Sequence, residues 1–386
     1  MIRTTIEQMP DSPIVEVWRL GFGRPDVIGM FAGEADVATP SFICEAASRS
    51  LAAGNTFYTP NRGLPATRAA IAAYHRRVHG VDVADGRIAL TPSGMSGVML
   101  IAQALIAPGD TAVVVTPGWP NVSRAMEICG ARIVEVPMRA SDDGWLLDLE
   151  TLFDACDAAT RVIYTASPGN PTGWIMEEEQ ARALLDFARA RGIALLSDEV
   201  YHRLVYDRPV APSLLQLATP EDDLYVVNSF SKSYAMTGWR LGWTIFPDGQ
   251  TDAFEKLIQF NSSGAPAFLQ HGAIAALEDG EDFIAGFVAR CRAGRDVVRE
   301  RLARMQRIRP VPGPGGFYAM FEVAGMRDTL SFCRRAVDEA RIGMAPGVAF
   351  GAGAEKHIRL CTAKAPELLD IAMDRLEDYV AHYRDP

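Results

Sequence analysis

Lys232 stands in the run Asn228-Ser229-Phe230-Ser231-Lys232-Ser233-Tyr234-Ala235-Met236-Thr237-Gly238-Trp239-Arg240-Leu241-Gly242, flanked by small hydroxyl residues and followed by Arg240. The preceding Leu224-Tyr225-Val226-Val227 is an unbroken apolar run, the pattern of a strand buried on both faces. Open α/β sheets hold ligands beyond the carboxyl ends of such strands, so the lysine is delivered to a ligand-binding place. There, burial and a nearby cation lower the pKa of an ammonium, and the neutral amine can form a Schiff base with a carbonyl. Arg240 would add a planar cation suited to a phosphate held close to that amine. Two other readings of these residues stay open. Ser229-Phe230-Ser231-Lys232 also has the S-x-x-K spacing of serine acyl-transfer nucleophiles, although the chain holds no K-T-G partner. A solvated loop position is, besides, the fate of most lysines.

Further candidates follow other apolar runs. Thr91-Pro92-Ser93-Gly94-Met95-Ser96-Gly97 opens a helical pattern, and small residues at such a turn expose backbone N–H groups to an anion. Trp119, between Pro117 and Pro120, puts a flat ring at a strand's end, suited either to packing or to covering an aromatic ligand. In Ser167-Pro168-Gly169-Asn170-Pro171-Thr172-Gly173 the chain must turn and aim the Asn170 amide. Asp198 and Tyr201 follow a buried strand, where a carboxylate either caps a turn or faces a site. Arg359 lies within the apolar strand pattern His357-Ile358-Arg359-Leu360-Cys361, where a charge is costly unless paired.

Positioning these residues requires a sheet. Apolar runs at Ile88–Leu90, Ala112–Val115, Ile133–Val136, Val162–Tyr164, Ile193–Leu196, Leu224–Val227 and Leu241–Ile245 are separated mostly by helical patterns. That alternation predicts an α/β fold with a mainly parallel seven-stranded sheet flanked by helices. Residues 1–40 read as an irregular arm, rich in Gly, Pro and Asp. Phe283–Met305 reads as a long helix, Pro310–Gly316 as a linker, and the remainder as a smaller α+β unit with strands at Phe317–Val323 and His357–Cys361. The expected division is an N-terminal arm at 1–40 joining the small domain, a large domain at 41–280 and a small domain at 281–386.

The chain has 386 residues and a formal net charge of −10, which argues against a nucleic-acid partner. Cys44, Cys129, Cys156, Cys291, Cys333 and Cys361 form no C-x-x-C pair and no zinc-like spacing, so they read as reduced and mostly buried, with no metal. No apolar run approaches the ~18 residues of a membrane span. A soluble cytoplasmic protein is the expectation.

In order and spacing these motifs resemble the class I and II aminotransferases, which use pyridoxal 5′-phosphate. The pattern S-x-S-K-x-x-x-M-x-G-x-R-x-G is similar to the family's cofactor-lysine segment, and N-P-T-G at Asn170–Gly173 is a hallmark of it. Gly33-Glu34-Ala35-Asp36-Val37-Ala38-Thr39-Pro40 resembles the G-E-P-D-F-x-T-P that precedes the family's large domain. The resemblance implies that Lys232 carries the cofactor and moves protons, Asp198 pairs with the pyridine nitrogen, and Asn170 and Tyr201 donate to the ring oxygen. It further implies a phosphate site from Ser93, Gly94, Met95, Ser229, Ser231 and Arg240, a ring stacked on Trp119, and a substrate α-carboxylate on Arg359 near Gly33, Trp119 and Asn170. Tyr58 resembles a tyrosine that reaches the phosphate in a neighbouring subunit's site, which implies a homodimer with shared active sites. The implied activity is transamination between an L-amino acid and a 2-oxo acid by a ping-pong route, with a β-C–S lyase of the same fold as the alternative. Met95 stands where an aspartate-preferring branch carries lysine, and a thioether does not repay the desolvation of a second carboxylate. Aspartate is therefore not expected to be the preferred donor.

Overall fold

The computed structural model describes residues 1–385. All seven apolar runs become strands of one sheet: β1 (Ile88–Thr91), β2 (Thr111–Thr116), β3 (Arg132–Pro137), β4 (Thr160–Ala166), β5 (Ala194–Asp198), β6 (Leu224–Ser229) and β7 (Gly242–Ile245). Their order is β1-β7-β6-β5-β4-β2-β3. The β2–β6 strands pair in parallel, whereas β7 runs antiparallel to both β1 and β6. Alternate residues feed two cores, as a sheet covered on both faces requires. Leu195, Val226 and Ile163 face one, while Tyr164, Leu196 and Val227 face the other, beside the helix Gly94–Leu105.

The lysine loop folds the chain back between β6 and β7 and sets Gly242 opposite Ser229 on one side and Thr91 on the other. A Cβ at Gly242 would lie 2.7 Å from both the Asn228 carbonyl oxygen and the Gly94 nitrogen. Only glycine lets the lysine strand and the turn at Ser93–Met95 approach this closely.

A second sheet, in the order β8-β9-β11-β10, joins β8 (Ile308–Val311), β9 (Tyr318–Val323), β10 (Ala345–Pro346) and β11 (His357–Cys361). It shares a core with the helices Thr329–Glu339 and Pro366–His382 and with Val17, Ile28 and Met30 of the first forty residues. The segment Ile28–Gly29 also pairs in parallel with Ile342–Gly343. The long helix Glu281–Arg304 starts in the large core at Ile284 and ends in the small one at Val298 and Leu302.

Two expectations are corrected, and one element is added. The first forty residues are not irregular throughout, since they hold helices Thr4–Glu7 and Pro13–Gly21. Ser12 caps the longer one by accepting the Val15 N–H at 3.4 Å, and Pro13 occupies its first turn, a helix start written in the sequence. Pro310 and Val311 belong to β8 rather than to a linker, because β8 is an edge strand, where a residue without an N–H is tolerated. A short hairpin, Arg139–Ser141 with Gly144–Leu146, was not foreseen in the sequence. Among the described residues no helix is long and apolar enough to cross a membrane, no group of acids, histidines and cysteines is arranged to hold a metal, and the six cysteines are free thiols.

Candidate active site

The carboxyl ends of β2, β4, β5 and β6, with the turn after β1, open on one cavity of about 320 Å³. It is lined by Gly94, Met95, Trp119, Asn170, Asp198, Tyr201, Ser229, Ser231, Lys232 and Arg240 from the large sheet's edge, Gly33 from the N-terminal segment and Arg359 from β11. Two sequence candidates lie elsewhere. Ser93 is buried beneath the turn, where its Oγ accepts the Ser96 N–H at 3.1 Å and caps the helix. Tyr58 is 94% exposed and does not line this cavity.

Lys232 follows the one-turn helix start at Phe230, and its Nζ donates to the Gly33 carbonyl oxygen at 2.6 Å. Burial pushes its pKa down to about 8, and the Arg359 charge works in the same direction. The serines beside it are held by one another: Ser229 Oγ accepts the Ser231 N–H at 3.1 Å and donates to Ser231 Oγ at 2.9 Å. Arg240, at φ 51°, sits in the left-handed region, and one guanidinium nitrogen donates to the Thr237 carbonyl oxygen at 2.7 Å.

Asp198 ends β5 on the same face as Leu196, next to Ala166 in register. Burial raises its carboxyl pKa to about 6, against the lowering effect of two donors, the Val200 N–H and the Tyr164 hydroxyl, both at 3.2 Å. The adjacent Glu199 is spent inside the fold, accepting from Ser197 Oγ at 3.1 Å and the Leu214 N–H at 3.2 Å. Of the two acids at this strand end, Asp198 is the one that lines the cavity.

Arg359 crosses from the small sheet. Its guanidinium donates to Asn170 Oδ1 at 3.0 Å and to the Phe31 carbonyl oxygen, and it lies 4.5 Å from the Tyr318 ring centre and 4.8 Å from that of Phe350. Its buried Nε has no protein partner. Tyr201 Oη meets Tyr318 Oη at 2.6 Å.

Tyr164, Tyr318 and Ile14 are among the lining residues that were not singled out in the sequence. Tyr164 could have been found from strand alternation, since it precedes the end of β4 by two residues on the face that Asp198 shares. Tyr318 and Ile14 had no such signal; the first depends on how β9 pairs with β11, and the second on where the helix Pro13–Gly21 docks.

A half-buried amine with lowered pKa, a buried carboxylate, a flat indole, and an arginine lining the same cavity as a helix N-terminus suit the aldehyde, ring nitrogen, ring face and phosphate of pyridoxal phosphate. The residues present fit that group.

The sequence matches the family described as aminotransferase class I and II over residues 25–376. Among its relatives, an aspartate aminotransferase of Pyrococcus horikoshii is 31% identical over 369 residues, 95% of this chain and 94% of the relative. An arginine–pyruvate transaminase of Pseudomonas aeruginosa is 33% identical over 354 residues, 91% and 89% of the two chains. Among solved structures, the aspartate aminotransferase from Thermus thermophilus with maleate superposes with a TM-score of 0.92 at 29% identity, covering 98% of this chain and 99% of that one. The chain belongs to the class I and II aminotransferases. It is a pyridoxal-phosphate-dependent transaminase, and the lyase alternative is not favoured.

Proposed function

We propose that the enzyme transfers amino groups between an L-amino acid and a 2-oxo acid in two half-reactions at this cavity, with the roles divided as follows. The cofactor supplies an aldehyde that captures the amino group and a ring that accepts the electron pair left when the Cα proton departs. Lys232 would hold the aldehyde and, as a free amine, would move that proton as general base and then general acid. Asp198 keeps the ring nitrogen protonated, while Asn170 and Tyr201 hydrogen-bond the phenolic oxygen. Arg240, the hydroxyls of Ser229 and Ser231, and the helix N-terminus at Gly94 and Met95, capped by Ser93, neutralise the phosphate. Trp119 covers the ring, and Arg359 takes the substrate α-carboxylate as a two-pronged donor beside the Gly33 backbone. We also assign the division into an arm (1–40), a large domain (41–280) and a small domain (281–386), with the site between the last two.

The observation that carries this reading is the meeting of Lys232, Asp198 and Arg359, from distant parts of the chain, in one cavity. Incubation with an amino acid and 2-oxoglutarate or pyruvate should give the exchanged amino and oxo acids. A sulfur amino acid alone should release no ammonia; stoichiometric ammonia and pyruvate would reassign the enzyme as a lyase.

We place the enzyme in the cytoplasm as a homodimer, a reading supported by its unpaired thiols and by Phe57 and Tyr58, exposed to 84% and 94%. If Tyr58 completes a partner's site, inactive Lys232→Ala and Tyr58→Ala chains should complement each other. Random pairing makes half the dimers mixed, each with one intact site, so roughly a quarter of wild-type activity should return. No recovery after subunit exchange, confirmed by separating tagged mixed dimers, would rule out the sharing.

The donor is expected to carry a neutral, apolar or basic side chain rather than a second carboxylate. The cavity's cations, Lys232, Arg240 and Arg359, already have the cofactor amine, the phosphate and the α-carboxylate, and Met95, Ile14 and Trp119 offer apolar surface. A second carboxylate would be desolvated there without repayment, with Glu34 close by. Aspartate is the donor named for the Pyrococcus horikoshii relative, so the contrast is testable. Across the twenty amino acids, kcat/KM for the best neutral donor should exceed that for aspartate by about tenfold, ~1.4 kcal/mol. A tenfold lead for aspartate would overturn this.

A further inference from the structure

Tyr318 is the small domain's contribution to a hydrogen bond that ends in the large domain. It begins β9, beside β11 with its Arg359, and its hydroxyl lies 2.6 Å from that of Tyr201. The backbone has made room for it: a Cβ at Gly33 would lie 1.9 Å from the Tyr318 oxygen, so any other residue would displace this hydroxyl. The Tyr201 ring is itself steadied edge-on against Phe317, with ring centres 5.4 Å apart.

Each phenol has one proton to give, and burial keeps both protonated across the working pH range. A Tyr201 that gives its proton to the cofactor's phenolic oxygen can only accept from Tyr318. We propose that Tyr318 is a positioning residue: by donating to the Tyr201 oxygen it orients the Tyr201 hydroxyl toward the cofactor and strengthens it as a donor. This rests on the cofactor reading above. Hydrogen bonds in such a chain polarise one another, so the second bond is strengthened by the first. The ring of Tyr318 has a separate task, lying 4.5 Å from the Arg359 guanidinium.

The main consequence can be read without relying on activity. Donation by Tyr201 stabilises the negative phenolic oxygen, which competes for the proton on the nitrogen linking Lys232 to the cofactor. Weaker donation lets that nitrogen keep its proton to higher pH. In Tyr318→Phe holoenzyme, the pH midpoint of the bound cofactor's visible absorption change should therefore rise by roughly half a unit. Gly33→Ala, which pushes the hydroxyl away, should move it in the same direction. In a Tyr201→Phe background, Tyr318→Phe should move it no further, because the effect passes through Tyr201. Retaining the ring, Tyr318→Phe should lower kcat while leaving KM for the amino donor nearly unchanged, whereas Tyr318→Leu should raise KM as well.

A midpoint unchanged in Tyr318→Phe overturns the proposal, as does an equal shift with and without Tyr201. Protein that takes up no pyridoxal phosphate and shows no visible band overturns the cofactor reading, and this inference with it. A yellow enzyme whose titration ignores Tyr318 overturns the inference alone.

Discussion

Replacing Lys232 with alanine is expected to abolish turnover, by more than about 10⁴-fold, and to leave no covalent cofactor after borohydride reduction. The amine is half-buried, carries a pKa lowered to about 8, and is held by one protein acceptor, the Gly33 carbonyl oxygen at 2.6 Å. It can thus shed a proton near neutrality and attack a carbonyl, which an exposed lysine does far less readily. Peptide mapping of reduced wild-type enzyme should find the adduct on Lys232. An adduct on another lysine, or full activity in Lys232→Ala, would remove the centre of the proposed mechanism. Folding should survive, because the deleted amine satisfies only one carbonyl and its loss exposes no new charge.

Much of the site was legible because strand ends concentrate it. Each buried apolar run had to stop at the same edge of a parallel sheet, and what followed it was polar or turn-forming: Ser93–Met95, Trp119, Asn170, Asp198 and Lys232. Arg359 was legible as a charge inside an apolar strand. Local patterns could not reveal pairings across the fold. That Tyr318 meets Tyr201 depends on β9 lying beside β11 and on the small sheet closing over the end of β5, and the two tyrosines stand more than a hundred positions apart. Ile14 was hidden for a similar reason, since its short helix packs against elements supplied by the last third of the chain. Pro310 misled because proline usually ends strands, and only the strand order shows that β8 has a free edge.

The Asp198→Ala enzyme is expected to lose on the order of 10³-fold or more in turnover, ~4 kcal/mol, while remaining folded. A turn cap and a cofactor partner differ in what their removal does to stability, and the sign follows from linkage. Burial raises the Asp198 pKa from 3.8 to about 6 in the cofactor-free protein. A raised pKa means that the stability associated with this group is fully present below pH 3.8 and lost as pH rises through about 6. The buried carboxylate therefore costs the empty protein about 3 kcal/mol at pH 8, a cost that a cation on the ring nitrogen would offset. Asp198→Asn keeps the shape, can accept the Val200 N–H on its single amide oxygen and donate its amide N–H to the Tyr164 hydroxyl, but never ionises. Cofactor-free Asp198→Asn should accordingly be more stable than cofactor-free wild type at pH 8, with the gap closing by pH 4. In cofactor-loaded protein the order should reverse, because wild type regains a partner for its charge and the amide does not. Urea titrations of both proteins, with and without pyridoxal phosphate, at the two pH values would decide it. If the substitution destabilises the empty protein at pH 8 and turnover per folded molecule survives, Asp198 is a cap and the ring nitrogen must find its proton elsewhere.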